Sequence, residues 1–185
     1  MIKLELKEKR FDDNLILENI NLEINPGDIM HIVGKSGVGK TTLLRILSGL
    51  DSDFTGTLSN TFERKAIVFP ERVFLGGINI FKEVKLFTNK SDLEILDAFS
   101  ELGLDKDVDK KASELSTGMR SRLSIIRVAL SEADILFLDE PLLGLDEYTK
   151  KITIDFLLKH LKDRTVLYTG ESIAPFSKHE KELFI

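Results

Sequence analysis

The chain has 185 residues, of which 42% are hydrophobic and 31% charged, and a net charge of −5. That length suits one domain with its own core, and the mild acidity argues against a protein held on nucleic acid or lipid by bulk charge. No cysteine is present, which excludes disulfides, iron–sulfur clusters, cysteine zinc sites and cysteine nucleophiles.

The chain opens with Met1-Ile2-Lys3-Leu4-Glu5-Leu6-Lys7-Glu8. Aliphatic and charged residues alternate there, so 2–6 reads as a half-exposed strand rather than the apolar block of a signal peptide. After the turn-like Asp12-Asp13-Asn14, the stretch Leu15 to Ile24 alternates again, and Asn25-Pro26-Gly27-Asp28 is a strong turn. Ile29 to Val33 is a short apolar run of buried-strand type. A glycine-rich loop follows at 34–39, and then Thr41 to Leu50 carries helical periodicity through Leu43, Leu44, Ile46 and Leu47, with Gly49 near its end.

From Ser52 to Leu86 the signals are mixed and predict short strands, including Ala66 to Phe69, followed by irregular chain. Ser91 opens a clearer helix with a capping box to Glu94, an apolar face of Leu93, Leu96 and Phe99, and Gly103 beyond its end. Ser116 to Leu130 and Glu147 to Leu161 are two further helices. Ile135 to Leu138 and Thr165 to Thr169 are strands, and Glu182 to Ile185 is a last short one. Strands alternating with helices predict a mainly parallel sheet covered on both faces. No run approaches the roughly 20 apolar residues that span a bilayer.

Two segments carry chemistry. Gly34-Lys35-Ser36-Gly37-Val38-Gly39-Lys40-Thr41-Thr42 fits G-x-x-x-x-G-K-[ST]. Its glycines let backbone N–H groups wrap phosphate oxygens, and the helix behind it aims its positive end at the anion. Lys40 is expected on the β- and γ-phosphates and the Thr41 hydroxyl on Mg²⁺. The second segment, Ile135-Leu136-Phe137-Leu138-Asp139-Glu140, puts two carboxylates at the tip of a buried strand, where open α/β sheets bind ligands. Asp139 is expected to hold Mg²⁺ through water, and Glu140 to act as the general base on the attacking water.

With these motifs in place the sequence resembles the ATP-binding cassette (ABC) family along essentially its whole length. Leu115-Ser116-Thr117-Gly118-Met119 resembles the family signature LSGGQ, and Asp139-Glu140-Pro141 and Gly144-Leu145-Asp146 follow in the expected order. The resemblance implies an α/β P-loop NTPase core with a mainly parallel sheet, an N-terminal antiparallel β subdomain and a reduced helical signature subdomain near 71–130, all within one domain over 1–185. It implies an ATP-binding and hydrolysing transporter subunit, with ATP and Mg²⁺ as ligands. Phe11 stands where the family carries an aromatic that stacks on adenine. Ser116, Thr117 and Gly118 are expected to serve the nucleotide of a second cassette, because the family dimerises head to tail with ATP between one phosphate loop and the partner's signature.

The expected partners are therefore a second cassette and a separate membrane permease, without nucleic acid, and the expected location is the cytoplasmic face of the membrane. The permease groove is expected near Pro70 to Asn89, with Phe69, Val73, Phe74, Leu75, Phe81 and Phe87 as candidate lining or core. Thr117 and Met119 resemble variants in drug and antimicrobial-peptide exporters, so export is the expected direction. Two departures stand out. Pro70 occupies the place of the Q-loop glutamine, and Gly170 the place of the switch histidine. They keep open a slow, regulatory cassette, and a soluble non-transport ABC protein is the other alternative. His31, His160 and His179 read as structural or solvated.

Overall fold

The computed structural model describes residues 1–71, 73–161, 164–171 and 180–185. His179 lies outside these. The described chain forms two compact units.

The first unit contains two sheets. In one, β1 (Ile2–Phe11) pairs antiparallel with β2 (Asn14–Ile24) on one side and with β4 (Thr55–Asn60) on the other. The alternation read at 2–6 is real: Ile2, Leu4 and Leu6 are buried while the residues between them face solvent. In the other sheet the order is β5 (Lys65–Val68), β6 (Ile135–Leu138), β7 (Thr165–Tyr168), β3 (Ile29–Val33), β8 (Glu180–Phe184). β6, β7, β3 and β8 pair in parallel. β6 and β7 are buried at every position, as expected for strands without a solvent face. Helix α1 (Lys40–Ser48) buries Leu43, Leu44, Ile46 and Leu47 and ends at Gly49, whose φ of 85° is the left-handed cap a glycine tolerates. The α/β class and mainly parallel sheet expected from the sequence are both observed.

The second unit spans 68–133 and 140–162. It contains the whole of the stretch 71–130 expected to be helical and also α5 (Glu147–His160). Its core joins Ile80 and Val84 of α2 (Ile80–Leu86), Ile95 and Phe99 of α3 (Asp92–Glu101), Leu123 and Ile126 of α4 (Thr117–Leu130), and Phe156 and Leu157 of α5. The capping box at α3 forms as predicted: Glu94 accepts from the Ser91 N–H at 2.9 Å, and the Ser91 Oγ accepts from the Glu94 N–H at 3.3 Å. Helix α2 lies where irregular chain was expected. Asn79 caps it by accepting from the Lys82 N–H at 2.9 Å, and the Ile80/Val84 spacing gives it a buried stripe.

Candidate nucleotide site

The phosphate loop joins the end of β3 to α1. Its glycines are there for distinct reasons. Gly37 and Gly39 have φ of 80° and 113°, values side-chain-bearing residues rarely adopt. A Cβ on Gly39 would stand 2.7 Å from Leu17 Cδ2, and one on Gly34 would stand 2.7 Å from the Ile185 carbonyl. Lys35, Ser36 and Gly37 are exposed, while Val38, Gly39, Lys40, Thr41 and Thr42 are half-buried. The first turn of α1 carries no acidic residue, so nothing there opposes an anion at the helix's positive end. Lys40 folds back over the loop, its Nζ donating to the Gly34 and Lys35 carbonyls at 2.9 Å each.

Asp139 follows β6 and is 1% exposed. Two hydroxyls satisfy its carboxylate. Thr41 donates to Oδ2 at 2.5 Å and Thr169, just beyond β7, donates to Oδ1 at 2.5 Å. The motifs connect Thr41 and Asp139 through a shared ion, whereas no motif marks Thr169. A hydroxyl at the tip of the strand beside β6 was the available signal, but strand neighbours cannot be read from chain order. Glu140, the next residue, is half-buried and has a φ of 45°. That left-handed conformation costs a non-glycine residue on the order of 1–3 kcal/mol, and Pro141 behind it restricts the backbone further.

The residues present fit MgATP. The loop offers backbone donors and a lysine to phosphate, and the adjoining Thr41 hydroxyl and Asp139 carboxylate are the hard oxygen donors that Mg²⁺ takes alongside phosphate oxygens and water. Among the described residues no cluster of three or more acidic or histidine side chains could hold a metal by itself.

Phe11 ends β1 and is 50% exposed. Leu17, which meets the phosphate loop at Gly39, is in register with Lys9, two residues before Phe11. The Lys9 ammonium stands 4.7 Å from the Phe11 ring centroid. It is buried and is held by Asp51 at 3.0 Å and Asp53 at 3.2 Å. Those two carboxylates raise the Lys9 pKa against the burial that would lower it.

The signature segment lies in the second unit. Ser116 caps α4 by accepting from the Met119 N–H at 3.3 Å, and Ser116 and Thr117 are exposed. Gly118 packs on the 144–145 segment, where an added Cβ would stand 3.2 Å from the Gly144 carbonyl. Ser121 fastens the same segment by donating to the Leu143 carbonyl at 3.0 Å. This contact between the two motifs was not foreseen.

Of the candidate groove residues, Val73, Leu75 and Phe87 are exposed, while Phe69, Phe74 and Phe81 are half-buried. Pro70, in the glutamine's place, is exposed. Gly170, in the switch histidine's place, has a φ of 93°. No helix among the described residues is long and apolar enough to cross a membrane.

The chain is similar to known proteins over most of its length. The model of the family described as "ABC transporter" matches residues 17–143. The chain is 37% identical over 144 residues to "Aliphatic sulfonates import ATP-binding protein SsuB 3" of Nocardia farcinica, an alignment covering 77% of this chain and 58% of that protein, less than two thirds of its length. It is 32% identical over 197 residues to "Uncharacterized ABC transporter ATP-binding protein YybJ" of Bacillus subtilis, covering 99% of this chain and 88% of the other. Among solved structures, an ABC transporter ATP-binding protein from Pyrococcus furiosus superposes with a TM-score of 0.81 at 23% identity, over 98% of this chain and 96% of that one. That likeness establishes the fold. None of these likenesses supports the export direction expected from Thr117 and Met119.

Proposed function

This chain belongs to the ABC transporter family, and on that premise we propose that it is the ATP-binding and hydrolysing subunit that closes with a second cassette around MgATP to drive a separate membrane permease. The contact that carries the reading is Thr41 to Asp139. It draws the phosphate loop and the acidic strand tip together with oxygen donors of the kind Mg²⁺ takes.

The loop N–H groups and the start of α1 bind the phosphates. Lys40 exchanges its two loop carbonyls for phosphate oxygens, and Thr41 and Asp139 hold the ion. Magnesium, when bound, offsets negative charge on the phosphates. Phe11 offers an exposed ring face to the base. Glu140 takes the proton of the attacking water. Ser116, Thr117 and Gly118, at the positive end of α4, serve the nucleotide of the partner cassette.

Pro70 has no side-chain amide and Gly170 no side chain to offer the γ-phosphate. Losing one positioned donor of this kind costs about 10²–10³ in rate, so turnover by the isolated chain is slow, below about 1 s⁻¹. The slow, regulatory cassette is therefore the second reading, and Pro70 and Gly170 are the observations that favour it. The protein sits on the cytoplasmic face of the membrane through its permease, with Val73, Leu75 and Phe87 facing that partner. The Thr117 and Met119 variants favour export and the relatives' names favour import. The permease sets the direction, so the reading stops at transport.

Light scattering of wild type and Glu140→Gln tests this. Both are expected to be monomeric without nucleotide, and the variant dimeric at saturating MgATP. A variant that binds MgATP yet stays monomeric would exclude the homodimer and point to a different partner cassette.

A further inference from the structure

We propose that His31 is a positioning residue that fixes the backbone of the 169–170 segment and, through Thr169, the carboxylate of Asp139. The proposal deepens the ATPase reading above and rests on it.

His31 lies in β3, three residues before the phosphate loop, and is buried. A buried imidazole needs partners for its nitrogens. Its Nε2 stands 3.1 Å from the Gly170 carbonyl oxygen. A carbonyl only accepts, so Nε2 carries the proton in this contact. The ring stacks on Tyr168 with centroids 4.4 Å apart and planes 3° from parallel. Glu182 Oε1 stands 4.0 Å from Nδ1. Strand register explains the set, because Tyr168, His31 and Glu182 are direct neighbours across β7, β3 and β8.

Three successive residues beyond the middle of β7 are thereby fixed. Tyr168 is stacked on the ring. Thr169 donates its N–H to the Leu138 carbonyl at 3.0 Å and its hydroxyl to Asp139. Gly170, left-handed at φ 93°, is held by His31 through its carbonyl. A packing role alone needs only the flat ring against Tyr168. The bond to Gly170 adds something different: it ties the segment that orients Asp139 to the strand that feeds the phosphate loop. Without it, the Thr169 hydroxyl can swing and the carboxylate loses one of its two fixed donors.

The test separates ring from donor. His31→Phe keeps a flat ring on Tyr168 and removes the N–H, while His31→Gln restores an N–H donor without the ring. In the nucleotide-free protein, nitrogen NMR is expected to show His31 Nε2 protonated. Amide exchange at 169–171 is expected to rise about tenfold in His31→Phe and to recover in His31→Gln. With MgATP, kcat is expected to fall about tenfold in His31→Phe while KM stays within about twofold, with most of the loss recovered in His31→Gln. An unprotonated Nε2, or His31→Phe matching wild type in both exchange and kcat, overturns the proposal and leaves the ATPase reading intact. Loss of thermal stability that parallels the loss of kcat, without rescue by glutamine, reduces His31 to packing and overturns it as well. Wild-type protein that binds no MgATP overturns the ATPase reading and this role with it.

Discussion

Thr41 and Asp139, 98 residues apart in the chain, meet through a 2.5 Å hydrogen bond. The hydroxyl thus rests on the carboxylate with which it would share a magnesium shell. Asp139→Asn keeps an oxygen for one hydroxyl and gains an amide for the other, so it is expected to lower stability by only about 1 kcal/mol. It removes the charge that draws the ion. Wild type is therefore expected to bind ATP at least about tenfold more tightly with magnesium than without, and the variant to lose that difference. Titration of a fluorescent nucleotide with and without magnesium checks this, and an unchanged magnesium effect would remove Asp139 from the ion's shell.

Gly170→His tests whether the absent switch side chain can simply be restored. At φ 93°, an L-residue costs about 1–2 kcal/mol. For a chain of this size each kcal/mol lowers Tm by about 2–4 °C. Calorimetry is expected to show a fall of about 2–8 °C, with no gain in turnover. A variant that melts with wild type and hydrolyses ATP ten times faster would show that the backbone adapts and that the histidine alone was missing.

The phosphate loop and the acidic strand tip were legible because each is contiguous: Gly34 to Thr42 and Ile135 to Glu140 carry their spacing and context within a few residues. Gly49 and the Ser91–Glu94 box were legible for the same reason. What the sequence hid was made by topology. Thr169 reaches Asp139 and His31 reaches Gly170 only because β6, β7 and β3 are neighbours in the sheet, although about 100 residues of chain separate β3 from β6. Gly118 meets Gly144 only once α4 and the 144–145 segment pack together. Helix α2 was overlooked for a different reason. At seven residues it is too short for its period to stand out among the phenylalanines and glycines around it, though Asn79 was a readable cap.

Lys9 is a buried cation whose partners differ: Asp51 is mostly enclosed, whereas Asp53 is almost fully exposed. Removing one member of a buried pair strands the other in low dielectric. Here solvent reaches Asp53, so the cost of Lys9→Met is expected at the low end, about 3 kcal/mol. That corresponds to a Tm lower by about 6–12 °C. The ammonium also lies over Phe11, so the variant is expected to loosen that ring. Calorimetry measures the first effect, and fluorescence titration with an adenine nucleotide the second. A Tm within 1 °C of wild type would mean that the pair contributes no net stability.

Glu83 gives the pH dependence. It is fully buried on α2. Its Oε1 accepts from Arg127 Nη1 at 3.0 Å and from the Leu75 N–H at 3.2 Å, while its Oε2 has no hydrogen-bond partner among the described residues. Burial pushes the carboxyl above its ordinary range, against the Arg127 and Leu75 donors that pull it down. A carboxyl whose pKa is raised on folding binds its proton more tightly in the native state. Its contribution to stability is therefore greatest below the unfolded value, near 4.3, and is lost as pH rises from there through the folded value. Glu83→Gln keeps an oxygen for Arg127 and Leu75, places an amide where Oε2 lacked a partner, and does not titrate. It is expected to melt at or above the wild-type temperature at pH 7 and to flatten the fall in Tm between about pH 4.5 and 7. Arg127, flanked by Phe74 and Phe87 at 5.3 and 4.9 Å, retains its aromatic neighbours in the variant, so loss of the carboxylate charge does not leave it bare. Thermal melts of both proteins across that pH range decide the matter. A variant less stable than wild type at pH 7 would mean that the Arg127 ion pair outweighs the burial of the charge.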